Sequence, residues 1–255
     1  MILSDKYKIT KIITKSTYST LYEGEHIIKK NKVAIKIETD EIAKRLLEHE
    51  INMYLYLKKG SKIKIPEIKY IGTFNNYKYI VMELLDKNLK QKFKNNIDKK
   101  EFIGIINQLL TLISTFHNRA LLHRDIKPEN FVFDKYGDLC IIDLGLSCFN
   151  DNREMNKFIG NKLYASFNCH LDNFIYTKND DLISIVYMLL HLYTGMLPWV
   201  NSYITYKIKK ECNFKEYYIT NNKYDDIVEL LLFIYYSIGN KSFYSIISNK
   251  INHYK

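Results

Sequence analysis

His123-Arg124-Asp125-Ile126-Lys127-Pro128-Glu129-Asn130 is the stretch on which the reading of this chain turns. It sits between elements of different periodicity. Upstream, Phe102 to His117 repeats apolar residues at helical spacing. Downstream, Phe131-Val132-Phe133 and Leu139 to Ile142 read as short strands around the turn Lys135-Tyr136-Gly137-Asp138. A polar octet so placed is a loop held by rigid elements. Toward the N-terminus the pattern is β-rich. Tyr7 to Ile13 and Thr20 to Gly24 form two strands with a turn between them. Lys32 to Glu38 alternates strictly, with Val33, Ile35 and Ile37 on one face and Ala34, Lys36 and Glu38 on the other. Asp40 to Lys59 is a helix: Asp40 is its N-cap, Ile42, Leu46, Met53 and Leu57 share a face, and Lys58-Lys59-Gly60 stops it. Two more strands follow, near Ile68 to Thr73 and Tyr77 to Leu84. From Asp180 onward the pattern is helical. No repeat and no linker divides the chain, so the fold class is α+β, a small β-rich part and a larger helical part with a cleft between them.

Composition narrows the classes. At ~150 residues per domain, a chain of 255 residues holds one or two domains, and one large domain is allowed. The 47% hydrophobic content supports a real core and argues against disorder. With 9 Gly and 3 Pro, collagen-like and linker-rich chains are excluded. The net charge of +10 comes almost wholly from Lys, because only Arg45, Arg119, Arg124 and Arg153 are arginines. Nucleic-acid binders cluster Arg for its bidentate grip on phosphate, whereas here Lys is spread among Asn, Ile and Tyr, as on an ordinary solvated surface. Cys140, Cys148, Cys169 and Cys212 form no C-x-x-C pair, and Cys148, Cys169 and His170 lack zinc-finger spacing. A reduced intracellular protein fits. MILSDKYKIT has no apolar run of signal-peptide length. Leu182 to Val200 has no Asp, Glu, Lys or Arg, but His191, Thr194, Gly195 and Pro198 interrupt it. It reads equally as a buried core helix or a membrane span.

The octet resembles the catalytic loop of protein kinases, H-R-D-x-K-x-x-N; five fixed matches arise by chance with a probability on the order of 10⁻⁴. The resemblance makes Asp125, Lys127 and Asn130 the catalytic set. Asp125 orients a substrate hydroxyl and accepts its proton, Lys127 neutralises the phosphoryl group in transfer, and Asn130 ligates a metal. Asp143-Leu144-Gly145, at the end of an apolar strand, is similar to the kinase D-F-G motif with Leu for Phe. Its carboxylate completes a hard oxygen site, so Asn130 and Asp143 are the implied ligands of Mg²⁺, with Mn²⁺ the alternative ion. Val33-Ala34-Ile35-Lys36 resembles the kinase β3 lysine motif. By that likeness Ala34 lies against adenine and Lys36 reaches the α/β-phosphates of ATP. Lys36 needs a carboxylate partner; Glu50 matches the family pattern, with Glu48 its rival.

Gly160-Asn161-Lys162-Leu163-Tyr164-Ala165-Ser166-Phe167-Asn168-Cys169-His170-Leu171 resembles the G-T-x-x-Y-A-S-x-x-x-H-L segment of casein kinase I and, less closely, of vaccinia-related kinases. Asp180-Asp181-Leu182, Leu197-Pro198-Trp199, Ile65-Pro66 and the gatekeeper and hinge Met82-Glu83-Leu84-Leu85 also match, placing Glu83 and Leu85 at the nucleotide. The resemblance runs from about Tyr7 to the C-terminus and weakens after Trp199. It implies a single two-lobed kinase domain over 1–255, N-lobe about 1–85 and C-lobe about 86–255, with the ATP cleft between. Leu182 onward is then the buried central helix, and Asp181 supports the catalytic loop's backbone.

Departures are informative. Thr14, Ser16 and Ser19 stand where the nucleotide loop has its three glycines. Each adds a Cβ where glycine lets backbone approach phosphate, though their hydroxyls offer hydrogen bonds in exchange. Asn161 replaces a threonine that bonds the catalytic Asp and Lys, and Leu163 replaces an arginine that binds acidic or phosphorylated substrate. The implied activity is a Ser/Thr protein kinase acting on protein substrates, acidic ones among them, in an active state that needs no phosphate on Arg124. The alternative is a pseudokinase scaffold with a glycine-free loop. No stacking motif or basic helix marks a nucleic-acid site. A monomer in the cytoplasm is expected, the host's if the Lys-, Asn- and Ile-rich composition reflects a virus, with the nucleus as the other site.

Overall fold

The computed structural model describes residues 1–16, 18–38, 41–60, 62–94, 97–200, 202 and 205–254, with backbone alone at 41–44. The chain divides into two compact units. The first holds Met1–Asp86 and Val132–Leu146, the second Lys87–Phe131 and Ser147–Lys255.

The first unit is built on a six-stranded antiparallel sheet. Its strands are β1 (Ile2–Leu3), β2 (Tyr7–Lys15), β3 (Ser19–His26), β4 (Lys32–Glu38), β5 (Ile68–Phe74) and β6 (Tyr77–Glu83), in the order β1-β2-β3-β4-β6-β5. The alternation in Lys32–Glu38 decides its two faces. Val33 and Ile35 enter a core with Leu3, Tyr7, Tyr79 and Val81, and Ile37 packs against it. Each such buried side chain contributes about 1.5–3 kcal/mol. Lys36, on the opposite face, meets helix α1 (Glu41–Lys58).

The helix was expected to bury Leu46, Met53 and Leu57. Met53 and Leu57 are buried as expected, while Leu46 is only half-buried and the buried face also takes in Leu47, Glu50, Ile51 and Tyr54. Two polar residues, Glu50 and Tyr54, share that face because each has a partner inside. The expected cap Asp40 and the side chain of Ile42 lie outside the described residues. Gly60, at φ +71°, follows the helix as expected of a stop signal. The hairpin of Phe131–Phe133 with Leu139–Ile141 joins this unit: Asp86 N donates to Phe133 O at 2.9 Å, and Ile141 N to Lys64 O at 3.0 Å.

The second unit is helical: α2 (Leu89–Lys92), α3 (Lys99–Asn118), α4 (Lys178–Thr194), α5 (Thr205–Glu211), α6 (Phe214–Thr220), α7 (Asp226–Ser237) and α8 (Phe243–Asn252). Helix α4 is buried along most of its length. Thr177 and Asp180 form its capping box, and Gly195 ends it in the left-handed conformation at φ +74°. It packs against α7, and α3 packs against α8. This is the apolar stretch that also read as a membrane span; no described helix is long and apolar enough to cross a membrane. Around it, Trp199 meets Tyr187 edge-on at 4.6 Å and Phe214 at 6.0 Å. The short helix α2, capped by Asn88 and Gln91, has too few residues to show a period. The same holds for the strand pairs Leu121–Leu122 with Cys148–Phe149 and Glu154–Met155 with Phe174–Ile175.

Gly72 is required by close approach. A Cβ there would stand 2.5 Å from the hydroxyl and 2.6 Å from the ring of Tyr79, which is fully buried and bonded to Ser4. Gly72→Ala must therefore displace Tyr79 and should destabilise the protein by about 1–3 kcal/mol in urea unfolding. Adding Tyr79→Leu should recover part of that loss.

Candidate active site

Two groups of polar side chains form, one in each unit. In the first, β4 presents Lys36 and α1 presents Glu50. Lys36 Nζ donates to Glu50 Oε2 at 2.6 Å and to Asp143 Oδ1 at 2.9 Å. Glu50 is buried, Lys36 is nearly so, and Asp143 remains partly exposed. Glu48, the rival partner, is paired with Lys78 at 2.7 Å instead. The reason is helical phase: Glu50 is on the buried face and Glu48 is outside it. Burial alone would lower the lysine's pKa, but the two adjacent carboxylates outweigh it and hold the ammonium firmly protonated. Asp143 itself sits at φ +59°, a left-handed conformation uncommon outside glycine and common at functional positions.

Tyr54 is the residue sequence reading missed. Its hydroxyl accepts from Asp143 N at 3.1 Å and is hydrogen-bonded to Glu50. Burial raises its pKa well above the ordinary tyrosine value, so it stays a phenol. Its position four residues after Glu50, on the same helical face, was the available signal.

Ala34 is buried on β4, opposite Met82 of β6, and Glu83 ends β6 opposite Val33. Glu83 N donates to Glu67 O at 2.8 Å, and Leu85 lies half-buried just beyond the strand. Thr14 pairs with Leu21 in the β2–β3 ladder. Ser16 and Ser19 close the turn between these strands on themselves. Ser16 N and Oγ donate to Ser19 O at 2.9 and 3.0 Å, and Ser19 N donates to Ser16 Oγ at 3.1 Å. Ser16's hydroxyl, expected to be on offer to phosphate, is occupied in its own turn.

The second group is the octet. Pro128–Asn130 is a single 3-10 turn, which brings Asn130 back over Asp125. Asn130 Nδ2 donates to Asp125 O at 2.8 Å and to Asp125 Oδ2 at 3.1 Å. Lys127 Nζ reaches the same Oδ2 at 2.5 Å. Asp125 and Asn130 are buried, and Lys127 is partly exposed. Arg124 is held at φ +68°, with a guanidinium nitrogen 3.6 Å from Met155 Sδ.

What holds this shape is Asp181, at the start of α4 and fully buried. Its Oδ2 accepts from His123 N at 2.9 Å, with His117 Nε2 at 3.0 Å. Its Oδ1 accepts from Arg124 N at 3.1 Å and Tyr176 hydroxyl at 2.8 Å. Burial would raise its pKa, but the His117 hydrogen bond and the neighbouring donors win and hold it below the ordinary aspartate value of 3.8. His117 and Tyr176 carry no motif and were not legible as parts of the site.

Gly160 lies at φ +137°, and a Cβ on it would meet Arg124 O at 2.3 Å, so the segment after it runs against the backbone of the Asp125 loop. Asn161 turns inward on that segment: its Oδ1 accepts from Leu163 N at 3.0 Å and Tyr164 N at 3.3 Å.

A carboxylate whose folded pKa is lowered stabilises the fold above its unfolded pKa and ceases to do so as pH falls through its folded value. Asp181→Asn should therefore cost about 2–5 kcal/mol at pH 7, because an amide offers one acceptor oxygen to four donors. The gap to wild type in urea unfolding should shrink steadily below pH 4.

The three motifs are thus present as two hydrogen-bonded clusters, Lys36–Glu50–Asp143 and Asp125–Lys127–Asn130. The family model described as protein kinase domain matches residues 7–249. With both clusters inside that span and the β-rich and helical units of an α+β kinase fold around them, the chain belongs to the protein kinase family.

Proposed function

We propose that the chain is a serine/threonine protein kinase of casein kinase I type, transferring the γ-phosphate of ATP to hydroxyls of protein substrates. The observation that carries this is the Asp125–Lys127–Asn130 cluster, in which one carboxylate oxygen is fixed by two donors. Asp125 so held is aimed rather than free to rotate, and it can receive a hydroxyl proton. Lys127, already beside it, neutralises charge on the group in transfer and favours Ser/Thr over Tyr as acceptor.

Lys36 is charged and held by Glu50, which suits it to the α/β-phosphates of ATP. Ala34, Glu83 and Leu85 are its adenine side. Asp143 and the amide oxygen of Asn130 are each hard donors of the kind Mg²⁺ takes. A divalent ion held there would supply neutralisation of the phosphate charge. The motif likeness to casein kinase I supports activity without a phosphate on Arg124.

The second reading, a scaffold with little turnover, has one observation in its favour. The Ser16–Ser19 turn uses N–H groups internally that a glycine loop would leave for phosphate. The two readings separate by experiment. Transfer from labelled ATP to casein should fall by about 100-fold or more in Asp125→Asn. It should fall comparably in Lys36→Met, and equal signal from wild type and both variants would remove the proposal. A wild type that neither transfers nor shifts in melting temperature with ATP and Mg²⁺ favours the scaffold.

The turn also yields a quantitative expectation. The double variant Ser16→Gly/Ser19→Gly removes both Cβ atoms and the hydroxyl that occupies Ser19 N. Its KM for ATP should fall several-fold with little change in kcat, as measured by steady-state kinetics at saturating protein substrate.

A further inference from the structure

Lys209 lies on α5 and is only 2% exposed. It belongs to neither cluster described above. An ammonium has three N–H donors, and this one has three acceptors around it. Lys162 O is at 2.8 Å, Ala165 O at 2.7 Å and His170 Nε2 at 3.3 Å. The indole of Trp199 lies 5.0 Å away and the ring of Tyr187 5.8 Å away, both within cation–π range. Among the described residues, no carboxylate lies within ion-pair distance of Lys209. Burial draws its pKa down to about 7. A charge buried without a counter-ion is costly and persists only where the surroundings satisfy it.

The acceptors are not scattered. Lys162 O and Ala165 O bracket Leu163, whose own carbonyl accepts from Trp199 Nε1 at 2.8 Å. Three carbonyls in four residues are thus held from the helical side, while Asn161 Oδ1 holds the Leu163 and Tyr164 amides. His170 must accept through Nε2, since an ammonium only donates. Burial, aided by the charges of Lys209 and Lys162, pulls that imidazole down to about 4 and keeps it neutral for the purpose. His170 ends the 3-10 turn Phe167–His170, against which α5 packs. One buried ammonium therefore ties α5 to both ends of the same segment.

The segment runs from Gly160, which is pressed on Arg124 O beside Asp125. The segment therefore starts against the backbone of the residue that precedes Asp125. We propose that Lys209 is a positioning residue for the protein substrate: by holding the Lys162 and Ala165 carbonyls, it sets the shape of the surface over which the polypeptide runs. This rests on the kinase reading proposed above. Nothing in the arrangement touches Lys36, Glu50 or Asp143, so nucleotide affinity should be independent of it.

The test combines kinetics with hydrogen exchange in Lys209→Met, Lys209→Gln and Lys209→Arg, using casein as the protein substrate. Lys209→Met removes three hydrogen bonds from the segment, to Lys162 O, Ala165 O and His170 Nε2. Its KM for casein should rise about tenfold or more, with kcat within about twofold and the melting shift induced by ATP and Mg²⁺ unchanged. Lys209→Arg, which keeps the charge and the donors, should recover a substantial part of the loss. Amide exchange at Leu163, Tyr164 and Ala165 should quicken in the Met variant and stay slow elsewhere in the helical unit. If Lys209→Met does not fold, Lys209→Gln is read in the same way. An unchanged KM in a folded variant, a loss confined to kcat, or unchanged exchange at these three amides would overturn the proposal. Absence of transfer by the wild type would count against the kinase reading, and the exchange measurement would still decide whether Lys209 holds the segment.

Discussion

The carboxylate of Asp181 is wholly removed from water, and the shape of the Asp125 loop follows from how that charge is satisfied. Two of the hydrogen bonds reaching it come from backbone amides of His123 and Arg124. To deliver both amides to one carboxylate, the chain must turn sharply at Arg124, which is found at φ +68°. The cost of that unusual conformation is offset by satisfying a buried ion that would otherwise cost several kcal/mol. Asp125, the next residue, therefore leaves the turn in a fixed direction. Asn130 and Lys127 fix its side chain in turn. The placement of Asp125 thus rests on a residue 56 positions later in the chain.

The same logic recurs in the other buried charges. Lys36 is held between Glu50 and Asp143, and Tyr54 links those two carboxylate-bearing residues through its hydroxyl. Lys209 is the variant without a counter-ion, satisfied by carbonyls, an imidazole and aromatic faces. Each case couples distant segments: β4 to α1 and the Asp143 turn, α4 to the octet, and α5 to the segment after Gly160. Because an unpartnered buried ion is so unfavourable, each pairing admits few alternative arrangements, which is how a reactive side chain is kept within a narrow range of positions. The turn between β2 and β3 is built on the opposite principle. Its described bonds are local, between Ser16 and Ser19.

Much of the local structure is legible in sequence because it is set by near neighbours. The alternation of Lys32–Glu38 yields the observed strand with its observed bounds, since a period of two sends Val33 and Ile35 to the opposite face from Ala34 and Lys36. The octet and Asp143-Leu144-Gly145 are legible because a fixed spacing of several polar residues is improbable by chance. On α1, Met53 and Leu57 are buried as their spacing implies, but Leu46 gives way to Leu47, and Tyr54 looks like a surface residue until its partner is seen. Glu50 and Glu48 could be ranked by resemblance, but the helix phase is what separates them physically. His117, Tyr176 and Lys209 left no signal at all. A lone histidine, tyrosine or lysine on a helix or strand says nothing about a partner dozens of residues away.

By itself, then, the sequence determined the α+β class, most of the strands and long helices, and the residues that make up the two polar clusters. These depend on periodicity, on turn chemistry and on motifs short enough to be read in order. Tertiary structure alone decided that Ser16 uses its hydroxyl on its own turn, that Tyr54, His117 and Tyr176 join the polar clusters, and that Lys209 is a buried ion held by backbone carbonyls; for Glu50 and Asp181 it supplied the partners of residues that the family resemblance singles out. The physical reason is that burial and partnership of a charge are properties of three-dimensional surroundings, assembled here from residues as far as 107 positions apart, which periodicity and turn chemistry do not encode.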